Sequence, residues 1–355
     1  MTVPASRAML EWSRGEWRMK NVLIDIALPD EALARLRALP GVRVETAEPS
    51  TQPRELPAGL LRDVHVALFK SPPTNFDDLR SLELMQLGSV GYEHLRHLNM
   101  ADRPVRVCNA RGVFDTAIGE WNVAMMINLV RDLREMVRHQ EQAHWRRRAR
   151  YQQEVRGKVV GLWGYGGIGR ETARLAKALG MTVHVLTRTG AVRPRVNTYA
   201  IPGTGDPEGR LPDRIFTPGS KLEFLGGLDF LILALPHTRA SDGMIGEAEL
   251  RALPATAFLL NPARGPIVQE AALLKALGEG WIAGAALDTH FAYPLPPEHP
   301  LWRMPNVILT PHISGADRSD AFPGRIADLF LQNLRRFLGG EPLLNELTPE
   351  EWREV

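Results

Sequence analysis

The residues with the clearest chemical signature lie in one glycine-rich turn. An apolar run at 158–163 is followed by Gly164-Tyr165-Gly166-Gly167-Ile168-Gly169. Gly164 permits a tight turn, Gly166 lets the backbone approach a pyrophosphate, and Gly169 lets the next helix pack closely on the strand. Because the amino end of that helix then faces the phosphates, the pattern predicts dinucleotide binding. The alternative is a plain glycine-rich turn.

The second strand of this motif ends on a hydroxyl and a cation instead of an acid. NAD-specific folds place an acidic residue there, which accepts hydrogen bonds from the ribose hydroxyls. Thr187 and Arg188 hold that place in this chain. A guanidinium can bind a 2′-phosphate through two hydrogen bonds, whereas a carboxylate would repel it. The sequence therefore predicts a preference for NADP over NAD, with mere solvent exposure of Arg188 as the alternative.

Strands and helices alternate around the glycine turn. Apolar periodicity predicts strand 158–163, helix 167–179, strand 183–187, strand 228–234, helix 246–252, strand 256–260, helix 268–278, strand 282–287 and strand 307–310. This alternation is typical of a Rossmann-type, doubly wound parallel sheet. The Pro-, Gly- and Arg-rich stretch 190–218 lacks periodicity, and we expect an irregular insertion there.

A smaller α/β unit is predicted around the first. Apolar runs predict strands at 21–27, 64–69, 84–87 and 105–108, and residues 322–338 form an amphipathic helical pattern. Helical spacing over 117–144 predicts one long helix. We expect a dinucleotide-binding domain, 113–315, inserted into a flavodoxin-like α/β substrate-binding domain made of 1–112 and 316–355. Residues before about 20 are expected to be a loose extension.

Composition excludes several classes of protein. A length of 355 residues favours two domains, and no apolar run approaches the ~20 residues that cross a bilayer. The 43 basic and 41 acidic residues are too balanced for a nucleic-acid scaffold. The single cysteine, Cys108, excludes an intramolecular disulfide and a multi-thiolate metal site. We therefore expect a cytoplasmic protein that binds neither membrane, nucleic acid nor metal.

One local cluster of basic residues departs from the overall balance of basic and acidic residues. It consists of Arg146, Arg147, Arg148 and Arg150, directly after the predicted long helix. The favoured interpretation is a solvated helix end, and nucleic-acid binding is the alternative.

Several segments in register resemble one enzyme family. They are GSVGYEHL (88–95), NARGVFDTAIGE (109–120), the glycine turn, LLNPARGPIVQEAALLKAL (259–277), GWIAGAALDTHFAYPLPPEHPLW (280–302) and NVILTPHISG (306–315). Together they resemble the D-isomer-specific 2-hydroxyacid dehydrogenases, which include glyoxylate/hydroxypyruvate reductases, phosphoglycerate dehydrogenases and formate dehydrogenases. The resemblance implies hydride transfer between NAD(P)H and the C2 carbonyl of a small 2-oxo or 2-hydroxy acid, with a homodimer formed around 117–144.

The resemblance also implies roles for individual residues. Arg264 matches the arginine that binds the substrate carboxylate, and His312 matches the histidine that transfers the proton. Both residue types suit the task, because a guanidinium binds a planar carboxylate through two hydrogen bonds and an imidazole exchanges protons near neutral pH. The remaining substrate contacts are expected from the loop Ser89, Val90 and Gly91, and from Lys70 at the distal end of a small substrate.

Cofactor contacts are expected from the glycine turn and from four further positions. These residues are Gly164, Tyr165, Gly166, Gly167, Ile168, Gly169, Thr187, Arg188, Pro236 and Asp288.

One position departs from the family pattern. A glutamate that hydrogen-bonds the catalytic histidine is usual five residues after Asp288, but this chain has Tyr293 there. A phenol could orient the imidazole of His312 but would not raise its pKa as a carboxylate does. Glu298 lies nearby in sequence and is expected to face solvent. The missing glutamate supports an alternative function, a dinucleotide-sensing binding protein that resembles transcriptional corepressors.

Overall fold

The structure is a computed structural model that describes residues 19–50, 52–147, 150 and 152–354. The predicted loose extension, up to residue 18, and Arg148 of the basic cluster lie outside the described residues. The other members of that cluster, Arg146, Arg147 and Arg150, are exposed.

The first sheet contains five parallel strands in the order β2-β1-β3-β4-β5. This is the flavodoxin-like order, so the predicted second α/β unit is confirmed. The central strands β3 and β4 are buried along their whole length, as expected for a parallel sheet covered on both faces. The strands are β1 (Lys20–Asp25), β2 (Val42–Thr46), β3 (Val66–Phe69), β4 (Leu84–Leu87) and β5 (Arg106–Cys108).

The second sheet contains seven parallel strands in the order β12-β11-β10-β9-β6-β7-β8. Strand order reverses between β6 and β9, which confirms the predicted doubly wound Rossmann-type sheet. The strands are β6 (Val159–Trp163), β7 (Thr182–Leu186), β8 (Arg214–Phe216), β9 (Phe230–Leu233), β10 (Phe258–Asn261), β11 (Gly284–Leu287) and β12 (Val307–Leu309).

Helices cover both sheets, and α9 packs into the core of the first sheet beside Val22 and Leu68. No helix in the described ranges is long and apolar enough to cross a membrane. The helices are α1 (Asp30–Arg37), α2 (Ala58–Leu61), α3 (Asp115–Arg131), α4 (Leu133–Glu141), α5 (Gly167–Ala178), α6 (Lys221–Gly226), α7 (Glu247–Ala252), α8 (Glu270–Glu279), α9 (Ala321–Leu338) and α10 (Pro349–Glu354).

The prediction of one long helix over 117–144 is wrong. The chain forms α3 and α4, which meet at Asp132 in a left-handed backbone conformation with φ 51°. Aspartate tolerates this conformation better than most residues, and the Asp132 carboxylate accepts a hydrogen bond from the Arg150 N–H at 2.9 Å. Apolar spacing continues across the break, so periodicity alone did not reveal it.

Two edge strands were missed by the sequence analysis. Strand β2 has a period-2 pattern in which Val42 and Val44 alternate with polar residues, and this signal could have identified it. Strand β8 has three residues and lies inside the predicted insertion 190–218. Its pairing with β7 is a tertiary contact that no local pattern announces.

Residues 187–213, which we call the linking segment, join the two sheets. On the side of the second sheet, Arg170 of α5 donates hydrogen bonds to the backbone carbonyls of Arg193 and Asp206. On the side of the first sheet, Tyr199 is buried in the same cluster as Phe330 of α9. The segment is irregular, as predicted, but it is packed against both halves of the molecule.

Tyr199 is the main apolar anchor of the linking segment, and its removal should weaken the fold. We expect Tyr199→Ala to lower the free energy of unfolding by about 3–5 kcal/mol, the range for loss of a buried aromatic ring. Tyr199→Phe keeps the ring and should cost about 1 kcal/mol. Urea denaturation measures both, and an equal loss in the two variants would contradict an anchoring role for the ring.

Candidate active site

A cleft of about 510 Å³ lies at the carboxyl ends of the strands of both sheets. Ligands of open α/β sheets bind at this position, outside the carboxyl ends and beside the switch point. The structure brings most of the predicted site residues to its walls: Lys70, Ser89, Val90, Gly91, Gly166, Gly167, Ile168, Pro236, Arg264, Tyr293 and His312. The predicted site residues outside its lining are Gly164, Tyr165, Gly169, Thr187, Arg188 and Asp288.

The glycine turn has the shape that a bound pyrophosphate needs. Gly164 has φ 97°, and a Cβ there would overlap the Ala234 carbonyl. A Cβ on Gly169 would lie 2.7 Å from the Gly164 carbonyl oxygen, whereas a Cβ on Gly166 would meet no atom within 4 Å. The turn is therefore closed against the sheet and open toward the cleft, at the amino end of α5. A dinucleotide fits this arrangement.

Tyr165, in the same turn, points away from the cleft. Its hydroxyl donates a hydrogen bond to Asp206 Oδ2 at 2.7 Å, and the Arg170 guanidinium lies 5.0 Å from its ring centroid. Burial, followed by the contact with Asp206, raises the pKa of the Tyr165 phenol. The Tyr165 side chain therefore contacts the linking segment and not the cleft. A cofactor contact remains a prediction only for the backbone of Tyr165.

Two charged residues beside the glycine turn were not singled out from the sequence. A Cβ on Gly167 would overlap the Asp115 carboxylate, which faces the Arg195 guanidinium at 3.5 Å. Burial raises the pKa of Asp115 more than the Arg195 charge lowers it. Arg195 belongs to the linking segment, whose irregular sequence carries no positional signal.

Arg264 is presented by the turn after β10, directly into the cleft. Its backbone carbonyl accepts a hydrogen bond from Asn261 Nδ2 at 2.8 Å, which holds the turn. Its Nε donates to Glu93 Oε1 at 2.7 Å, and Nη1 donates to the Ala263 carbonyl at 2.7 Å. Burial raises the pKa of Glu93, but the charge and hydrogen bond of Arg264 outweigh it, so this pKa is lowered. The Arg264 guanidinium is thus already bound to a carboxylate of the protein, that of Glu93.

Glu93 itself was missed by the sequence analysis. It follows the predicted substrate loop in GYEHL, at the start of a 3₁₀ helix, and comes from the opposite wall of the cleft. The loop is held by Ser89 Oγ, which donates to the Gly91 carbonyl at 2.8 Å, and by the Asn109 amide, which donates to the Val90 carbonyl at 2.9 Å.

Asp288 fixes the loop that carries His312. The Asp288 side chain is fully buried at the end of β11, and its Oδ1 accepts hydrogen bonds from Thr310 Oγ1 at 2.5 Å and from the Ile313 N–H at 2.9 Å. Oδ2 accepts from the Ser314 N–H at 2.9 Å. These bonds position the loop, and a cofactor contact for Asp288 stays a prediction.

His312 lies in the cleft with a left-handed backbone, φ 58°. Burial, followed by the charge of Arg264, lowers its pKa below the ordinary 6.5, while Asp288 and Asp317 oppose this shift. A neutral imidazole is therefore favoured near pH 7.

Tyr293 lies beside His312 at the position where the family usually has a glutamate, so the imidazole has an aromatic neighbour there and not a carboxylate. The two ring centroids are 5.6 Å apart with an interplanar angle of 52°. The Tyr293 hydroxyl accepts a hydrogen bond from the His290 N–H at 3.2 Å, and burial raises the pKa of the phenol, so it stays neutral. Glu298 is exposed, as expected.

The predicted substrate lysine has a partner across the cleft. Lys70 Nζ lies 2.7 Å from Asp317 Oδ2, which links the end of β3 to the loop that follows His312. Both side chains are partly exposed. Lys70 therefore lies in the cleft wall, where its predicted contact with a substrate is untested.

Arg188, at the end of β7, is not an unpaired cation. Thr187 Oγ1 donates to the Ala191 carbonyl at 3.3 Å. Arg188 is largely exposed, and its Nη1 donates to Glu354 Oε1 of α10 at 2.8 Å. Within the described ranges, no group of three His, Cys, Asp or Glu residues could hold a metal ion.

The comparisons with known proteins agree on one family. The family model of the D-isomer specific 2-hydroxyacid dehydrogenase NAD-binding domain matches residues 123–314. The glyoxylate reductase of Thermofilum pendens is 32% identical over 329 residues, which cover 90% of this chain and 92% of that protein. The glyoxylate reductase of Thermococcus gammatolerans is 32% identical over 334 residues, with coverage of 90% and 93%.

Solved structures show the same similarity. A D-isomer specific 2-hydroxyacid dehydrogenase from Xanthobacter autotrophicus, in complex with NADPH and MES, has a TM-score of 0.74 and 26% identity, covering 94% of this chain and 99% of that chain. An NADPH-dependent glyoxylate/hydroxypyruvate reductase from Sinorhizobium meliloti, in complex with NADP and sulfate, has a TM-score of 0.72, 26% identity and the same coverage.

The contact between Tyr293 and His312 generates a titration test. The pKa of His312, measured by NMR in the full chain, should lie below 6.5 because of burial and Arg264. In Tyr293→Glu a carboxylate would face the imidazolium and should raise this pKa by about 1–3 pH units.

Tyr293→Gln is the matched neutral control and should leave the pKa of His312 low. The His312 resonance can be assigned from its loss in His312→Gln. An unchanged pKa in Tyr293→Glu would contradict the inferred proximity of these two side chains.

Proposed function

The chain belongs to the D-isomer-specific 2-hydroxyacid dehydrogenase family, and we propose that it reduces small 2-oxo acids to 2-hydroxy acids with NAD(P)H. The observation that carries this proposal is the cleft itself, which is lined by Arg264 and His312 together with residues 166–168 of the glycine turn. One site thus offers a group that binds a carboxylate, a group that moves a proton, and a pyrophosphate cradle.

The nicotinamide dinucleotide, when bound, supplies or accepts the hydride at C4 of its ring. The residues that would hold it are the glycine turn, including Ile168, and the cleft residue Pro236. Ordering of two reactants in one cleft is the main contribution of such binding groups to the rate.

Arg264 is proposed to bind the carboxylate of the 2-oxo acid. Its guanidinium already holds the Glu93 carboxylate at 2.7 Å, which supports a site suited to carboxylates. A substrate carboxylate would compete with Glu93 for the guanidinium, and the N–H groups of the 89–91 loop on the facing wall would complete its binding. The reacting carbonyl is then oriented next to His312.

His312 is proposed to donate the proton to the carbonyl oxygen as the hydride arrives at C2. Reduction requires the imidazolium form, so the rate falls as pH rises through the pKa of His312. Because burial and Arg264 lower this pKa below 6.5, we expect the reductive optimum on the acidic side. Tyr293 packs against the His312 ring, and Asp288 hydrogen-bonds the loop that carries His312. Both are therefore proposed as positioning residues.

A preference for NADP(H) is proposed from the end of β7. Arg188 offers a guanidinium where a 2′-phosphate would lie, and no acidic residue follows β7 before it. The similar structures from Xanthobacter autotrophicus and Sinorhizobium meliloti contain NADPH and NADP, which supports the proposal. Physiologically we expect reduction of the substrate.

The substrate is proposed to be of glyoxylate or hydroxypyruvate size. Glyoxylate reductases are among the most similar relatives, and Lys70 lies in the cleft wall where it could contact the distal end of a short acid. The alternative of a dinucleotide-sensing protein is disfavoured, because a sensor has less need of Arg264 and His312 in one cleft. The cytoplasmic location stays a prediction.

A panel of 2-oxo acids, assayed with NADPH and with NADH, tests the function. We expect the highest kcat/KM for glyoxylate or hydroxypyruvate with NADPH. Arg264→Gln should lower kcat/KM by about 10- to 100-fold, since a hydrogen-bonded charge pair to substrate contributes about 1.5–3 kcal/mol.

Arg303→Gln is the matched control, because Arg303 is exposed and lies outside the cleft lining. It should leave kcat/KM unchanged. Absence of any reduction by a chain that still binds the cofactor would contradict the proposed enzyme.

A homodimer is proposed to form through α3 and α4. Three large apolar side chains of these helices, Ile127, Leu133 and Val137, are 40–45% exposed, and Trp145 just after them is 90% exposed. Large apolar side chains that are exposed on two consecutive helices favour burial against a second copy.

Light scattering tests this assembly. We expect about twice the 39.6 kDa of one chain, and a fall to the single-chain mass in the double variant Leu133→Lys and Val137→Lys. Leu222→Lys, which changes an exposed leucine on α6, should keep the double mass. A single-chain mass for the unchanged protein would contradict the proposal.

A further inference from the structure

Helix α10 connects the two walls of the cleft. On the side of the first sheet, Trp352 packs edge-on against Tyr92 with ring centroids 5.5 Å apart, and Glu351 pairs with Arg111. Tyr92 and Arg111 both line the cleft. The start of the helix is fixed because the Glu351 carboxylate accepts the Thr348 N–H at 2.9 Å.

The other end of α10 reaches the second sheet. The Glu354 backbone carbonyl accepts a hydrogen bond from the Arg239 N–H at 3.2 Å, in the loop after β9. The Glu354 carboxylate pairs with Arg188, after β7, at 2.8 Å. Strands β7 and β9 flank β6, so Glu354 lies between the two loops that border the strand of the glycine turn.

We propose that Glu354 lowers the preference for NADP(H) over NAD(H) by occupying the guanidinium that would bind the 2′-phosphate of NADP(H). This inference rests on the proposed role of Arg188. No acidic residue directly follows β7, but Glu354, 166 residues farther along the chain from Arg188, places a carboxylate on the Arg188 guanidinium. A carboxylate and a phosphate compete for the same donors of a guanidinium.

The consequence differs between the two cofactors. Binding of NADP(H) requires Arg188 to exchange Glu354 for the 2′-phosphate, and the displaced carboxylate repels the phosphate as long as it stays near. NAD(H) has a 2′-hydroxyl and can bind with the pair intact. Glu354 therefore reduces the advantage of NADP(H) that Arg188 alone would confer. Because the pair is largely exposed, the effect is modest and weakens with salt.

Equilibrium binding measured by calorimetry at low ionic strength tests the proposal without reliance on turnover. Glu354→Gln should lower the Kd for NADPH by about two- to fivefold, the range for one exposed charge pair, and leave the Kd for NADH unchanged. The fragments 2′,5′-ADP and 5′-AMP should show the same contrast. Glu354→Lys should lower the Kd for NADPH further.

Glu350→Gln is the matched control, since it removes the same charge from the same helix at a residue whose partners, Thr348 and Arg353, are its neighbours in sequence. It should change neither Kd. A second control is Arg188→Ala, which should raise the Kd for NADPH and abolish the effect of Glu354→Gln in the double variant.

The outcomes separate the two levels of the argument. Arg188→Ala without effect on NADPH would contradict the cofactor role of Arg188 and, with it, the inference. Arg188→Ala with its effect, but Glu354→Gln without one or with equal effects on NADPH and NADH, would overturn the inference about Glu354 and leave the proposed function standing.

Discussion

The buried carboxylate of Asp288 is the interaction on which the arrangement of the cleft depends. It accepts three hydrogen bonds, one from the Thr310 hydroxyl and two from the N–H groups of Ile313 and Ser314. A carboxylate without such donors would be costly to bury, so the loop and the acid stabilise each other. The left-handed backbone of His312, which costs on the order of 1 kcal/mol, is held by this network. The network thereby fixes the backbone from which the His312 side chain enters the cleft.

Ion pairs also join residues that line the cleft. Arg264, after β10 of the second sheet, pairs with Glu93, after β4 of the first sheet, and Lys70 pairs with Asp317, which precedes α9. The linking segment and α10 join the same two halves away from the cleft centre. Under the proposed function, an acidic substrate would replace Glu93 on Arg264, and the 2′-phosphate of NADP(H) would replace Glu354 on Arg188. Both binding steps would then exchange one anion for another on a guanidinium.

The fold was largely predictable where buried strands alternate with amphipathic helices. Strands β3, β4, β9 and β10 are short apolar runs bounded by turns, and such runs have few other stable arrangements in an α/β protein. Prediction failed for the edge strands and for the break between α3 and α4. The edge strand β8 depends on its neighbour for its structure, and the break at Asp132 changes the backbone conformation of one residue without interrupting the apolar spacing.

The sequence by itself determined the two parallel sheets and the glycine turn, because each follows from a local pattern of a few residues. Arg264 and His312 were identified through the resemblance of whole segments to one family. Only the tertiary structure decided which charges face these residues. Glu93 reaches Arg264 from 171 residues away, and Glu354 reaches Arg188 from 166 residues away. Pairs so far apart in sequence leave no periodicity and no spacing to detect. They arise when packing of the sheets, the linking segment and α10 brings separate surfaces together.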